Sequence, residues 1–393
     1  MNILVVNIGS TSFKFRLFNM ADERVLAHGG VEGVGKTTSR ITLQIGDAGP
    51  TAHERPIADQ SEAISTCLAA LGATGTTQAP VQVDAVGFKA VHGGPISGAV
   101  RVTPDVMQTM QTFSDVAPAH NPAYLAAMRA FGEQMPQTPL VAAFETGFHQ
   151  SIPPSRTTYA IPYEWTRDLG VRRYGFHGAS HQYVATRVAE LFGTGAARII
   201  SCHLGGSSSI CAIRDGQSIA NSFGMTPQSG LPQNNRVGDF DAYALLRLRS
   251  RTGLPIEDLL ERMAREGGLL GISGVSNDMP EIIAAAEAGH EQAALALEVF
   301  VESIRDCIGA YLVALGGLDV LVFTGGIGER SPLVRQRVCE GLSFLGIRLS
   351  GERNDAGANE VTVSADVSDV RVLVLQTNEE LIVARQTRDV LQG

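Results

Sequence analysis

A hairpin written twice narrows what this chain can fold into. Residues 3 to 18 read ILVVNIGSTSFKFRLF: an apolar run, a turn of glycine and hydroxyl residues, then a second run alternating with the period of a strand. Residues 198 to 213 read RIISCHLGGSSSICAI and repeat that order, with Gly205, Gly206, Ser207, Ser208 and Ser209 in the turn. A looser pair, DAVGFKAVHGG at 84 to 94 and DVLVFTGGIG at 319 to 328, runs from a strand into a Gly-Gly turn. Strand patterns alternate with helical ones elsewhere. The chain therefore reads as α/β, a duplicated domain whose halves each open on a hydroxyl-rich hairpin, with a cleft between the copies.

Such hairpins suit anions. Glycine lets the backbone turn and approach closely, exposed N–H groups and the hydroxyls of Ser10 and Ser12 donate hydrogen bonds, and Lys14 adds a charge matched to phosphate. Plain turns share this composition, and it is the second copy that shifts the reading to phosphate. GVEGVGKT at 30 to 37 satisfies the P-loop pattern, but residues 40 to 45 alternate as a strand where a P-loop must lead into a helix, so a β-turn is expected. Gly326-Ile327-Gly328 lacks the third glycine of a dinucleotide fingerprint and reads as a strand-to-helix turn against which a nucleotide packs.

With 393 residues, 44% hydrophobic and 18% charged, the chain can bury more than one core. A net charge of -9 provides no basic stripe, which argues against nucleic acid and anionic membrane surfaces as partners. No leader pattern and no bilayer-length apolar run is visible, so the expected compartment is the cytoplasm. The five cysteines are scattered without CxxC spacing and indicate neither a disulfide framework nor a zinc site.

Polar clusters fall at the ends of apolar runs, where α/β proteins place their sites. RRYGFHGASH at 172 to 181 delivers His177 through a glycine turn into a helical pattern, a placement suited to binding phosphoryl oxygens. NNRVGD at 234 to 239 puts Arg236 in a polar turn fit for bidentate contact with phosphate or carboxylate. Glu145 ends the run AAFE, where it could orient a metal-bound water, act as a base or cap a helix. Glu379 begins a helix and could serve a metal or complement the helix dipole. The helical pattern from Glu291 to Leu315 is apolar nearly all round, as expected of core or a subunit interface.

Taken in order, NIGSTSFK (7 to 14), VHGG (91 to 94), HNPA (120 to 123), RRYGFHGASH (172 to 181), HLGGSSSI (203 to 210), FTGGIGERS (323 to 331) and TNEEL (377 to 381) resemble the acetate kinase family of the acetate and sugar kinase/actin-like superfamily. The resemblance spans essentially the whole chain. It implies two actin-like (ribonuclease H-like) domains, residues 1–147 plus 381–393 and residues 148–380, with a nucleotide cleft between them and the second responsible for nucleotide binding and dimerisation. It also implies a homodimer that uses Mg2+ or Mn2+ to transfer the γ-phosphoryl group of ATP to a short-chain carboxylate, giving acyl phosphate and ADP, and the reverse. A carboxylate acceptor is already ionised, so such a protein must mainly align two anions and neutralise charge in an in-line transfer. By the resemblance, His177 and Arg236 stabilise the transferring group, with Glu145 at the position of a catalytic aspartate. Ser10, Ser12, Lys14 and the turn His203, Leu204, Gly205, Gly206 and Ser207 contact ATP phosphates. Asp278 with Gly325, Gly326, Ile327 and Gly328 forms the adenosine pocket, while Val91, Ala119, Phe176 and Pro227 form the acyl pocket. Asn7 and Glu379 serve the metal.

The chain departs from the family pattern at several of these places. Lys89 stands where an arginine would grip the substrate carboxylate, which loses the planar fork. Glu145 replaces the aspartate, and its extra methylene shifts the carboxylate by about 1 Å, worth ~100-fold in rate if nothing compensates. Gly206 replaces an asparagine, Pro280 an arginine, Asn235 a different residue beside Arg236, and Ala119 a leucine that would otherwise narrow the acyl pocket. Acetate is the expected acid, and the last departure keeps propionate or a somewhat larger acid open. Lys89 and Glu145 could also compensate each other, a shorter cation against a longer carboxylate. A sugar or polyol kinase, with Glu145 as the base, and an ATP-binding protein without the chemistry are the competing readings.

Overall fold

The computed structural model describes residues 1–9, 11–72, 82–118, 120–193, 197–356 and 360–393. Ser10 and Ala119 therefore lie outside the described residues. The chain forms two compact units, Met1–Gln150 with Asn378–Gly393, and Ser151–Thr377.

The first unit contains β1 (Asn2–Gly9), β2 (Ser12–Asn19), β3 (Arg24–Glu32), β4 (Ser39–Ile45), β5 (Thr51–Arg55), β6 (Ala85–Ala90), β7 (Ala99–Arg101) and β8 (Leu140–Phe144), in the sheet order β5-β4-β3-β2-β1-β6-β8-β7. The opening hairpin pairs Asn7 with Lys14 and Val5 with Arg16, while β1, β6 and β8 run parallel. Strand period two then sorts the side chains. Leu4, Val6, Ile8, Val86, Phe88 and Ala90 enter a core shared with Tyr124, Leu125 and Phe131 of the helix Asn121–Gln134. The opposite face carries Gly87, where a Cβ would stand 2.4 Å from Thr387 Oγ1 of the helix Glu379–Gln392. That close approach brings the start of this helix to the carboxyl ends of the parallel strands. The P-loop-like segment resolves as the end of β3 and the turn that follows, and it leads into strand β4 where a P-loop would lead into a helix.

The second unit repeats the order. Its strands are β9 (Arg198–Leu204), β10 (Ser208–Arg214), β11 (Gln217–Asn221), β12 (Val320–Thr324), β13 (Glu360–Thr362) and β14 (Arg371–Leu375), arranged β11-β10-β9-β12-β14-β13. This matches β3-β2-β1-β6-β8-β7 strand for strand, including a short antiparallel edge strand that precedes its neighbour in the chain. The expected duplication is thus present, and β4 and β5 are the first unit's addition. The helix Glu291–Leu315 buries Ala293, Leu297, Phe300, Ile304 and Ile308 against Ile200, Cys202, Leu204 and Ile210, and leaves Leu295, Val299 and Val313 exposed. All five cysteines are free thiols. Among the described residues no helix is long and apolar enough to cross a membrane.

Candidate active site

In the first unit, Lys89 lies two residues beyond Gly87 on β6, so alternation points its side chain to the start of the helix Glu379–Gln392. Its ammonium contacts Glu379 and stands 3.6 Å from Glu145 Oε1, which continues the line of β8. All three side chains are less than one fifth exposed. Burial is the largest influence on Lys89 and on Glu145. It pulls Lys89 down, but Glu145 and Glu379 outweigh it and hold the ammonium well above its usual range. Burial pushes Glu145 up to about 7, opposed by Lys89 and reinforced by the neighbouring Glu379. Glu145 Oε2 is buried without a hydrogen-bond partner among the described residues. Beside this triad, Tyr124 accepts from the Ile8 N–H at 3.1 Å and lies 3.4 Å from Asn7 Oδ1. Asn378 caps the helix, accepting from the Leu381 N–H and from Arg16. Lys14 is exposed and pairs with Glu32 at 3.5 Å. Ser12 begins β2, and Val91 packs at the margin of the core.

In the second unit, His177 has a left-handed backbone (φ 57°) directly before the helix Gly178–Phe192, the bend that its preceding glycine turn predicts. Its Nδ1 lies 2.9 Å from Ser209 Oγ, and its ring packs on His203 with centroids 4.1 Å apart. Phe176 is buried and its backbone N–H and C=O are both bonded to the Asn221 side chain. Arg236 donates to Ser207 Oγ at 3.2 Å, Gln233 Oε1 at 3.2 Å and the Pro227 carbonyl at 3.5 Å. Gln233 is completely buried and itself bonds Ser207 and Pro227, so it braces the guanidinium's acceptors. None of these acceptors is charged. Burial lowers the Arg236 pKa, and no carboxylate pairs with it among the described residues.

A pocket of about 520 Å³ in the same unit is lined by Gly205, Gly206, Asn234, Asp278, Gly326 and Ile327, among others. The structure so brings together the turn, the aspartate and the helix-start glycines singled out in the sequence. Gly325 has φ +75°, and a Cβ there would stand 2.7 Å from the Leu204 carbonyl, so the two turns touch only because the residue is glycine. Leu204 itself is buried in the core, and Gly328 is buried behind the pocket. Asn234 was not singled out by role, although it opens the polar run before Arg236. Its Nδ2 lies 3.4 Å from where a Cβ on Gly206 would be, and its Oδ1 is buried without a partner among the described residues. Tyr124, Gln233, Ser209 and His181 were likewise given no role. Only His181 had a local signal, in the HGASH segment.

No group of three or more His, Cys, Asp or Glu able to hold a metal is present among the described residues. Asn7, Glu379 and the unpartnered Glu145 Oε2 are nevertheless the oxygen donors that suit Mg2+, which binds through one or two carboxylates together with water and substrate phosphates.

Comparison with known proteins converges on one family. The Acetokinase family model matches residues 2–385. An acetate kinase of Dictyoglomus turgidum is 44% identical over 392 residues, covering 98% of this chain and 97% of that one, and a propionate kinase of Citrobacter rodentium is 40% identical over 386 residues, covering 98% and 95%. The crystal structure of Porphyromonas gingivalis acetate kinase superposes with a TM-score of 0.90 at 37% identity, covering 99% of both chains. The repeated actin-like architecture and these full-length matches establish that this chain belongs to the acetokinase family.

Proposed function

We propose that this chain is an acetate kinase: it transfers the γ-phosphoryl group of ATP to acetate, giving acetyl phosphate and ADP, and catalyses the reverse. The observation that carries the reading is Arg236, a half-buried cation held by three neutral acceptors. A desolvated guanidinium without a counter-ion favours an incoming anion, and charge shared by transferring phosphoryl oxygens meets that need. His177 adds a donor to the same group. The Gly205–Gly206 turn, Asp278 and the Gly325–Gly328 turn hold the nucleotide, and Lys14 with the first hairpin contacts phosphate. The acyl group is assigned to Phe176 and Pro227 of the second unit and to Val91 of the first. Lys89 and Glu145 act as a pair: the ammonium positions both carboxylates, and the substitutions at these two places offset each other in length.

Asn7 and Glu379, with Glu145 in support, would hold Mg2+, with Mn2+ as the substitute. When bound, the ion screens the β- and γ-phosphate charge. The chain's own residues supply orientation. The carboxylate acceptor needs no base, so Glu145 is not required to take a proton from it. We place the enzyme in the cytoplasm as a homodimer assembled through the second unit, where the exposed Leu295, Val299 and Val313 would be covered.

A hydroxylamine trap for acyl phosphate, run with Mg-ATP and acetate, propionate, butyrate or glycerol, tests this. Hydroxamate with acetate at the highest kcat/KM is expected. A preference for propionate, which Ala119 and the similarity to propionate kinases would favour, replaces the acid but keeps the reaction. No hydroxamate from protein that binds ATP removes the reading.

A further inference from the structure

We infer that Ser209 and His181 are positioning residues that set the tautomer of His177, so that a neutral imidazole presents an Nε2–H donor to the phosphoryl group. The inference rests on the role given to His177 above. Ser201 and His203 lie two residues apart on β9, Ser209 is the register partner of His203 on β10, and His177 and His181 are one helical turn apart. This geometry builds a chain of contacts. Ser201 Oγ is 2.9 Å from His181 Nδ1, His181 Nε2 is 2.9 Å from Ser209 Oγ, and Ser209 Oγ is 2.9 Å from His177 Nδ1. Ser201, His181 and Ser209 are fully buried.

Each hydroxyl has one proton to donate, so the chain has two possible directions. In the first, Ser201 donates to His181 Nδ1, His181 Nε2–H donates to Ser209, and Ser209 donates to His177 Nδ1. Every proton is then used, and the proton of neutral His177 sits on Nε2. In the second, His177 Nδ1–H donates to Ser209, Ser209 to His181 Nε2, and His181 Nδ1–H to Ser201. The Ser201 hydroxyl proton is then left in a fully buried place where no other hydrogen bond to its Oγ is made among the described residues. It would also turn the lone pair of neutral His177 Nε2 outward, the wrong polarity for a phosphoryl oxygen. Charging His177 would correct the polarity, but its Nδ1–H would still donate to Ser209, and the hydroxyl proton of either Ser209 or Ser201 would then be left buried without an acceptor. The first direction satisfies every group. His203 is held separately, with its Nδ1 2.7 Å from Ser180 Oγ.

The test is the two-bond 1H–15N spectrum of the full chain labelled on histidine nitrogen, with assignment by His177→Asn and His181→Asn. Both rings are expected as the Nε2–H tautomer in the wild type. His177 as the Nδ1–H tautomer would overturn the inference. This reading needs no turnover, so it stands or falls apart from the acyl kinase assignment. Kinetics give the second arm. Ser209→Ala should lower kcat by about 10²-fold with little change in KM for ATP. His181→Gln, whose amide nitrogen can replace the Nε2–H donor, should retain activity, whereas His181→Asn, whose shorter amide reaches only the Nδ1 position, should fall with Ser209→Ala. Equal losses in the Gln and Asn variants, both folded by circular dichroism, would show that His181 merely fills space.

Discussion

Asn7 and His203 occupy equivalent places in two copies of one hairpin, yet the charges around them are handled in opposite ways. In the first unit, Lys89 sits between Glu145 and Glu379, so a buried cation and two carboxylates largely satisfy one another. In the second, Thr324 takes the place of Lys89, paired in register with His203, and the cation Arg236 has only neutral partners among the described residues. The duplicated backbone fixes where strand ends deliver side chains. It does not fix their electrostatics. One copy became a buried ion-pair cluster, the other a half-buried cation held by a hydroxyl, an amide oxygen and a backbone carbonyl.

The sharpest way to break the contrast is to remove each cation in turn. Arg236→Met should lower kcat/KM by about 10³-fold, as loss of a principal transition-state contact does. Because no counter-ion is left behind, the melting temperature should hold or rise. Hydroxamate kinetics and a thermal melt on one preparation decide it. A clear fall in melting temperature would mean that the contacts to Ser207, Gln233 and Pro227 serve the fold.

Lys89→Met should do the reverse, costing on the order of 3–5 kcal/mol in urea unfolding because two buried carboxylates lose their shared partner. The pH dependence has a definite sign. Glu145 is raised from its ordinary 4.5 to about 7, so its share of stability is fully present below about pH 4.5 and is lost as pH rises through about 7. Between about pH 5 and 8 the wild type should therefore lose more melting temperature than Glu145→Gln. If Lys89→Arg and Glu145→Asp combine with strictly additive effects on turnover, the two are uncoupled; neighbours sharing one ion pair ordinarily couple by ~0.5–3 kcal/mol.

What the sequence makes legible follows from range. The hairpin tips, the strand-to-helix turns at Gly325 and His177, and the absence of a helix after Thr37 all depend on neighbouring residues, and period and turn chemistry suffice for them. The departures at Lys89 and Glu145 are visible as substitutions, but their shared ion pair is not, since it joins β6, the end of β8 and the last helix. Tyr124 reaches Asn7 across 117 residues, and Gln233 braces Ser207 across 26. No local pattern announces such partners. The relay through Ser209 spans 28 and 32 residues, and only the packing of the helix Gly178–Phe192 on the β9–β10 pair brings its members together.

The smallest effect expected concerns Asn234 and Gly206. The family asparagine is missing at position 206, but the Asn234 amide occupies the adjoining space, with one oxygen buried and unpartnered at the pocket wall. If that amide serves the nucleotide, Asn234→Ala should raise KM for ATP about tenfold, the worth of one good hydrogen bond, with kcat little changed. Gly206 does not have a positive φ, so its backbone admits a side chain. Adding Gly206→Asn to Asn234→Ala should then recover much of the loss, because an amide returns to the same space from the other side. Added to the wild type, Gly206→Asn should instead weaken ATP binding, since its Cβ would arrive 3.4 Å from Asn234 Nδ2 and its amide would compete for that volume. If the double variant is no better than Asn234→Ala alone, the amide at 234 shapes the turn and does not touch the nucleotide.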